Sequence, residues 1–262
     1  MSLLQAFFLG IIQGITEFLP ISSSGHLIVF ENIFGLSVAE LFTFDIAVHA
    51  GSLLAIVWYF YKQWKSFFVS TLQDIRSVRR WKNSQFLLLI IGTIPAIIIG
   101  LLWKDSIEVY FRNTLTVALF WIIIGILLYF SVYAKEKTDI ISPKQSLLIG
   151  IVQACAILPG ISRSGSTILT AMFLGIRRQK AAEFSFFLGA IAIFGAMILT
   201  LLSENISELF TPVTIIGFLS SSLSSLFAVS WLMKILKSGT LRPFAYYLWG
   251  ASFLVILFTL MN

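Results

Sequence analysis

Residues 17–26 read Glu-Phe-Leu-Pro-Ile-Ser-Ser-Ser-Gly-His, with largely apolar sequence on both sides. A second stretch, residues 158–167, reads Leu-Pro-Gly-Ile-Ser-Arg-Ser-Gly-Ser-Thr in a similar setting. Each puts a proline, a glycine, several hydroxyls and ionisable groups inside hydrophobic sequence. Hydrocarbon offers no hydrogen bond to a broken backbone and no solvation to a charge. Such segments must be buried in protein or line a watery cavity. The expectation is that the two stretches meet and form one site.

The surrounding sequence is that of a membrane protein. Apolar residues make up 58% of the chain and charged residues 11%, which places the 262 residues in the polytopic helical class, as a single membrane domain over 1–262. No long soluble domain fits between the apolar runs. The net charge of +6 does not indicate nucleic acid, because the basic residues lie in short loops, where they act as topology signals. The single Cys155 excludes an intramolecular disulfide and a cysteine zinc cluster. The N-terminus lacks a basic segment and a small-residue cleavage site, so it reads as mature structure.

Residues 3–19 are apolar but interrupted by Gly10, Gln13, Gly14, Thr16 and Glu17, and Pro20 ends them. A crossing needs about 20 apolar residues. Residues 3–34 therefore read as a re-entrant helical hairpin with its turn at Pro20–Gly25. The alternative is an ordinary spanning helix with a polar patch. Residues 40–61 then cross, carrying Asp45 and His49 on one helical face. A loop with Lys62, Lys65, Arg76, Arg79, Arg80 and Lys82 marks the inside. Residues 85–103 cross outward with Pro95 as a kink, Asp105 and Glu108 lie outside, and 114–133 return to Lys135, Lys137 and Lys144. Residues 145–176 repeat the interrupted pattern and end at Arg177, Arg178 and Lys180, so a second hairpin enters from the opposite face. Residues 183–203, 212–233 and 244–261 complete six transmembrane helices, with Glu204 and Glu208 outside and Lys234, Lys237 and Arg242 inside. Fifteen of the 18 Lys and Arg fall inside; Lys104, Arg112 and Arg163 are the exceptions.

The halves, about 1–134 and 140–262, echo each other. Gly10-Ile11-Ile12-Gln13 matches Gly150-Ile151-Val152-Gln153, Leu19-Pro20 matches Leu158-Pro159, and Ser24-Gly25 matches Ser164-Gly165. Glu40 to Phe44 resembles Glu183 to Phe187. Each half is one hairpin followed by three spans, begun from opposite sides. The fold class is thus an all-α polytopic membrane protein, six spans and two re-entrant hairpins in an inverted-topology repeat. Such repeats place their site near the midplane.

Arg163 carries the clearest chemistry. Its guanidinium stays charged, and its five donors fit phosphate oxygens. Ser162, Ser164, Ser166 and Thr167 surround it with hydroxyls, and a helix opening at Gly160 or Gly165 would add backbone amides. The alternative is a structural pair with Glu17 or Asp45. A buried Glu17 facing an anionic substrate calls for a cation between them, of the Mg²⁺ or Ca²⁺ type. Gln13, one turn earlier, is either a ligand or an interhelical hydrogen-bonding group. His26 can move protons near neutral pH, and Ser23 is a candidate nucleophile given a nearby base. Attack by water, with the serines only binding oxygens, stays open. For Asp45 and His49, helix packing is at least as good a reading.

At these residues the chain resembles the bacitracin-resistance type of undecaprenyl-diphosphate phosphatase. Gln13 to Glu17 resembles its (Glu/Gln)-x-x-x-Glu motif, Pro20 to His26 its Ser-rich extension ending in Gly-His, and Pro159 to Thr167 its Pro-Gly-x-Ser-Arg-Ser-x-x-Thr motif. The resemblance spans nearly the whole chain. It implies hydrolysis of undecaprenyl diphosphate to the monophosphate, recycling the lipid carrier of cell-wall synthesis. It also implies a divalent cation, Mg²⁺ or Ca²⁺, held by Glu17 and Gln13. The location implied is the bacterial inner (plasma) membrane, with the site facing its outer side. The expected partners are a polyprenyl diphosphate lipid and the bilayer; a homodimer is allowed. Glu17, Ser23, His26 and Arg163 are the implied catalytic residues, with either Ser23 or His26 as the attacking group; the favoured assignment has Ser23 attacking and His26 shuttling a proton. Ser22, Ser162, Ser164 and Thr167 are the implied phosphate binders. The rival reading is a polyprenyl-phosphate transporter, since inverted repeats with hairpins are transporter architecture. A carrier needs the binding groups but no activated nucleophile.

Overall fold

The structure, a computed structural model, describes residues 1–36, 38–74, 84–203 and 209–261. The expected loop residues Arg76, Arg79, Arg80, Lys82, Glu204 and Glu208 lie outside the described residues, as do the side chains of Glu40, Lys104, Asp105 and Glu108. Helix dominates, and the described residues contain no strand beyond one isolated bridge between Thr138 and Ile176.

The first hairpin is α1 (Leu3–Phe18) and α2 (Ser23–Ile33). Ser2 and Gln5 form a capping box that starts α1, and Leu19, in extended conformation, ends it one residue before Pro20. Ser22 caps α2 by accepting from the amide of Gly25. The second hairpin is α7 (Pro143–Cys155) and α8 (Arg163–Phe173). It starts with the same device, a capping box of Ser142 and Gln145 with Pro143 at the first helical position. Ser162 caps α8 through the Gly165 amide, as Ser22 caps α2. Each tip needs one residue in the left-handed region: Gly160 at φ +97° in the second, and the non-glycine Ser22 at φ +71° in the first.

The spans follow the hydropathy closely. Helices α5 (Gln85–Phe111), α6 (Thr114–Tyr129), α9 (Arg178–Ser203), α10 (Pro212–Ser238) and α11 (Arg242–Met261) include five segments long and apolar enough to cross a membrane alone. The sixth comes from α3 (Val38–Tyr59), which breaks at Phe60 into α4 (Tyr61–Asp74) at 77°. Lys62 and Lys65, expected in a loop, therefore lie on a helix. It is held by Phe67 and by Trp64, which stacks on Phe187 at 4.0 Å. Pro95 lies within α5, which extends past the expected end at 103 to Phe111. Large apolar side chains in mid-span face outward, among them Leu101, Leu223 and Phe253 at about two-thirds exposure. Water would not tolerate so continuous an apolar surface; lipid requires it.

Small residues let the hairpins nest among the spans. Helix α1 lies against α10, where Gly10 and Gly14 meet Gly217, Ser220, Ser221 and Ser224 with no room for a side chain. Helix α7 lies against α5 through Gly150 on the backbone of Gly92. Close backbone approach through glycine and serine is how helices associate where lipid removes the hydrophobic drive. Ser52 of α3 joins the seam by hydrogen bonds of 3.1 Å with Ser221 and Ser225. The segment between the halves is pinned to the start of α9: Lys137 donates to the Gly175 carbonyl at 2.7 Å, and Glu136 and Asp139 pair with Arg178 and Arg177.

Candidate active site

The two hairpin tips touch. Ser164 donates to the Leu19 carbonyl at 3.1 Å, and Gly165 packs against Pro20. Both tips rest on α6, Gly25 against Trp121 and Gly160 against the Val117 backbone. Ser23 and Arg163 are the first residues of α2 and α8. Two helix N-termini thus open at the same place, each with leading amides that have no carbonyl of their own helix to bond.

Glu17 sits at the centre, buried at 7% exposure. One carboxylate oxygen pairs with the Arg163 guanidinium. The other accepts from the Ser23 hydroxyl at 2.5 Å and from Nε2 of Gln13 at 3.0 Å. A buried ion pair is sustained only when further hydrogen bonds satisfy its lone pairs, and Ser23 and Gln13 supply them. Arg163 reaches Glu17 by lying along α9 where Gly189 leaves space; a methyl group there would occupy the guanidinium's position. The pairing of Arg163 with Glu17, foreseen as a structural alternative, is present together with the hydroxyl and the two helix N-termini. The Ser23 hydrogen points at a carboxylate, an arrangement that raises the nucleophilicity of a hydroxyl.

The remaining expected residues divide. His26, buried at 3%, does not direct its ring at Ser23: Nδ1 bonds the Ser22 carbonyl at 2.7 Å and Nε2 bonds the Tyr247 hydroxyl at 2.8 Å. Ser22 and Ser162 spend their hydroxyls as caps and also approach Ser24 and Ser164. Thr167 is fully buried and bonds the Arg163 carbonyl at 2.7 Å and Ser185 at 2.6 Å, so it fastens α8 to α9. His49 bonds the backbone carbonyl of Asp45 at 2.7 Å and lies within electrostatic reach of Glu17. Asp45 is in electrostatic contact with Glu31, which pairs with Arg112 at 2.9 Å, so this exceptional arginine has a buried partner. Tyr247, Trp121 and Gly189 are site neighbours that the sequence reading missed. Tyr247 lies beside Tyr246 in an aromatic-rich span, and nothing in the sequence distinguishes the two.

Among the described residues no group of three or more His, Cys, Asp or Glu could hold a metal ion. One feature does suit a cation. Oε1 of Gln13 is buried without a hydrogen-bond partner, next to the Glu17 carboxylate. Two protein oxygens are what a Mg²⁺-type ion uses when phosphate oxygens supply most of its shell.

Fold and site together define an all-α polytopic membrane protein with a polar centre between two helical hairpins. Residues 6–254 match the family model described as bacitracin resistance protein BacA. Undecaprenyl-diphosphatase 3 of Bacillus cereus is 41% identical, with 98% of this chain and 97% of that protein covered. The undecaprenyl-diphosphatases of Halothermothrix orenii and Caldicellulosiruptor bescii are each 38% identical, over 98% and 100% of this chain and 98% and 99% of theirs. The chain belongs to the BacA family.

Proposed function

We propose that this protein is an integral-membrane phosphatase that hydrolyses undecaprenyl diphosphate to undecaprenyl phosphate and inorganic phosphate. Family membership and the names of the relatives support the substrate. The observation that carries the chemistry is the Ser23 hydroxyl, held by the Glu17 carboxylate at 2.5 Å beside Arg163 and two helix N-termini. Arg163 and the leading amides bind the terminal phosphate. Ser23 Oγ attacks its phosphorus as the hydroxyl proton passes to Glu17. The anhydride P–O bond breaks, and undecaprenyl phosphate leaves with the bond electrons. Water then attacks the phosphoserine and its two hydrogens leave on the inorganic phosphate, while the Oγ–P bond breaks and Glu17 returns its proton to Ser23 Oγ. This assigns the proton of Ser23 to Glu17, where the sequence reading assigned it to His26.

Glu17 and Gln13 Oε1 would hold a divalent cation brought in with the diphosphate. Such a cation supplies charge neutralisation on the phosphate oxygens. The basic-residue bias supports loops that lie inside, and the family resemblance supports a plasma-membrane protein whose site opens to the outer face. The test is phosphate release from a long-chain polyprenyl diphosphate by purified protein in detergent, with and without chelator, beside Arg163→Ala and Glu17→Ala. Release that needs the cation and disappears in both variants is the expected result. Lipid binding without release, in folded protein supplied with Mg²⁺ or Ca²⁺, overturns the proposal in favour of a carrier.

A further inference from the structure

The environment of His26 fixes which nitrogen can work. The Ser22 carbonyl accepts twice from His26, from its backbone amide at 3.2 Å and from Nδ1 at 2.7 Å. A carbonyl has no hydrogen to give, so Nδ1 carries the proton of the neutral ring. The unusual left-handed conformation of Ser22 is part of the turn that presents this carbonyl. Nε2 is then the basic position, and the Tyr247 hydroxyl occupies it at 2.8 Å. The phenol ring lies nearly parallel to the imidazole, at 10° with centroids 5.7 Å apart, and Trp121 covers the imidazole with centroids 4.4 Å apart. His26 is 3% exposed, whereas Tyr247 is 48% exposed on α11.

We propose that Tyr247 is a positioning residue for His26, the phenol that holds its ring in place and partners its one basic nitrogen in both protonation states. A phenol hydroxyl both donates and accepts. It donates to Nε2 while the ring is neutral and, after rotation about its C–O bond, accepts from Nε2–H when the ring is charged. The ring therefore keeps one orientation through a protonation cycle, held from Nδ1 by Ser22 and from Nε2 by Tyr247. Phenylalanine would keep the stacking and lose both roles. The consequence for turnover rests on the phosphatase reading; the hydrogen bond does not.

The test is ¹⁵N NMR of imidazole-labelled protein in detergent, with His49→Gln to separate the two histidines. In the wild-type protein, neutral His26 shows its proton on Nδ1 and an Nε2 that accepts a hydrogen bond. In Tyr247→Phe, Nε2 moves to the value of a free imine nitrogen. Tyr246→Phe, which removes the neighbouring phenol, leaves the Nε2 resonance unchanged. A proton on Nε2 in the wild-type protein overturns the proposal, even should Tyr247→Phe fail to fold. An unmoved Nε2 resonance in folded Tyr247→Phe overturns it equally. Wild-type protein that releases no phosphate sinks the phosphatase reading, while the nitrogen shifts still decide the Tyr247 contact.

Discussion

Gly189→Ala separates the fold from the site with a single methyl group. A Cβ built on Gly189 coincides with Nη1 of Arg163 and lies 2.5 Å from Cζ and 3.2 Å from Nη2; these are its three nearest neighbours. Ordinary contact between such atoms needs about 3.5–4 Å, and Nη1 sits on the Cβ position, so that end of the guanidinium must retreat by roughly 2–3 Å. The obstructing atoms are the far end of a flexible side chain, so the backbone of α9 has no reason to move. Glycine in a helix interior costs about 1 kcal/mol relative to alanine, so the substitution favours the helix. A misplacement of about 1 Å in a group that binds the reacting phosphate can cost about 10²-fold, or about 2.7 kcal/mol of transition-state stabilisation. The expected outcome is a loss of at least about a hundredfold in kcat/KM for phosphate release, with only a modest fall in melting temperature in detergent, because the helix gain offsets part of the weakened pair with Glu17. Gly195→Ala is the control, because a Cβ on Gly195 of the same helix meets nothing within 4 Å; it should keep full activity. Activity of Gly189→Ala within threefold of wild type would refute the placement of Arg163. A large fall in melting temperature would show that the helix itself depends on that gap.

Glu17→Gln removes the charge that pairs with Arg163 and the base that takes the Ser23 proton; it should lower phosphate release by about 10²–10⁴-fold while the protein still runs as a folded species on size exclusion. Ser164→Ala deletes the hydrogen bond that joins the hairpin tips, and thermal melting should report a loss of about 1 kcal/mol. Arg112→Ala leaves Glu31 buried without its cation and should destabilise by about 1–3 kcal/mol. Adding Glu31→Gln to that variant should recover part of the loss, and a double variant no more stable than Arg112→Ala would dismiss the pair as a stabilising contact.

The sequence makes the broken hairpins legible because an apolar environment leaves little choice. Pro20, Pro159 and Gly160 interrupt their helices inside apolar sequence, and Glu17 and Arg163 cannot face lipid, so the tips had to be interior and charge-complementary. Chain-local caps could be read from the sequence but were not, and Ser22 and Ser162 were expected only as phosphate binders. The serine caps at Ser22 and Ser162 and the Ser2/Gln5 and Ser142/Gln145 boxes depend on residues three apart. What stayed hidden is what depends on the docking of distant helices. Nothing near Tyr247 in the chain shows that its hydroxyl meets His26, and Gly189 is one of many glycines until Arg163 is seen lying across it. The helix from Tyr61 to Asp74 was missed because its lysines satisfied a topology rule, and that rule says which side a segment is on, not whether it is helical. Thr167 fits the expected motif yet spends its hydroxyl on Ser185, which the spacing of hydroxyls alone does not reveal.

The correspondence between the halves explains why the site lies where they differ. The same spacing relates Ser2 to Ser142, Gln5 to Gln145, Gly10 to Gly150, Gln13 to Gln153, Ser22 to Ser162 and Gly25 to Gly165. Capping residues and packing glycines hold the hairpins in similar shapes and nest each against a span, so they are kept in both. That spacing sets Glu17 opposite Ile157, Ser23 opposite Arg163 and His26 opposite Ser166. Had both hairpins kept the acid, two carboxylates would face each other in a buried site and repel, and an anionic substrate would add to the repulsion. Had both kept the arginine, no group would accept the hydrogen of a nucleophile. With the acid, the hydroxyl and the histidine on one hairpin and the arginine on the other, the ion pair between Glu17 and Arg163 is also a bond between the repeats. The group that binds the phosphate and the group that activates the serine hydroxyl are then aligned only when the two tips are in contact.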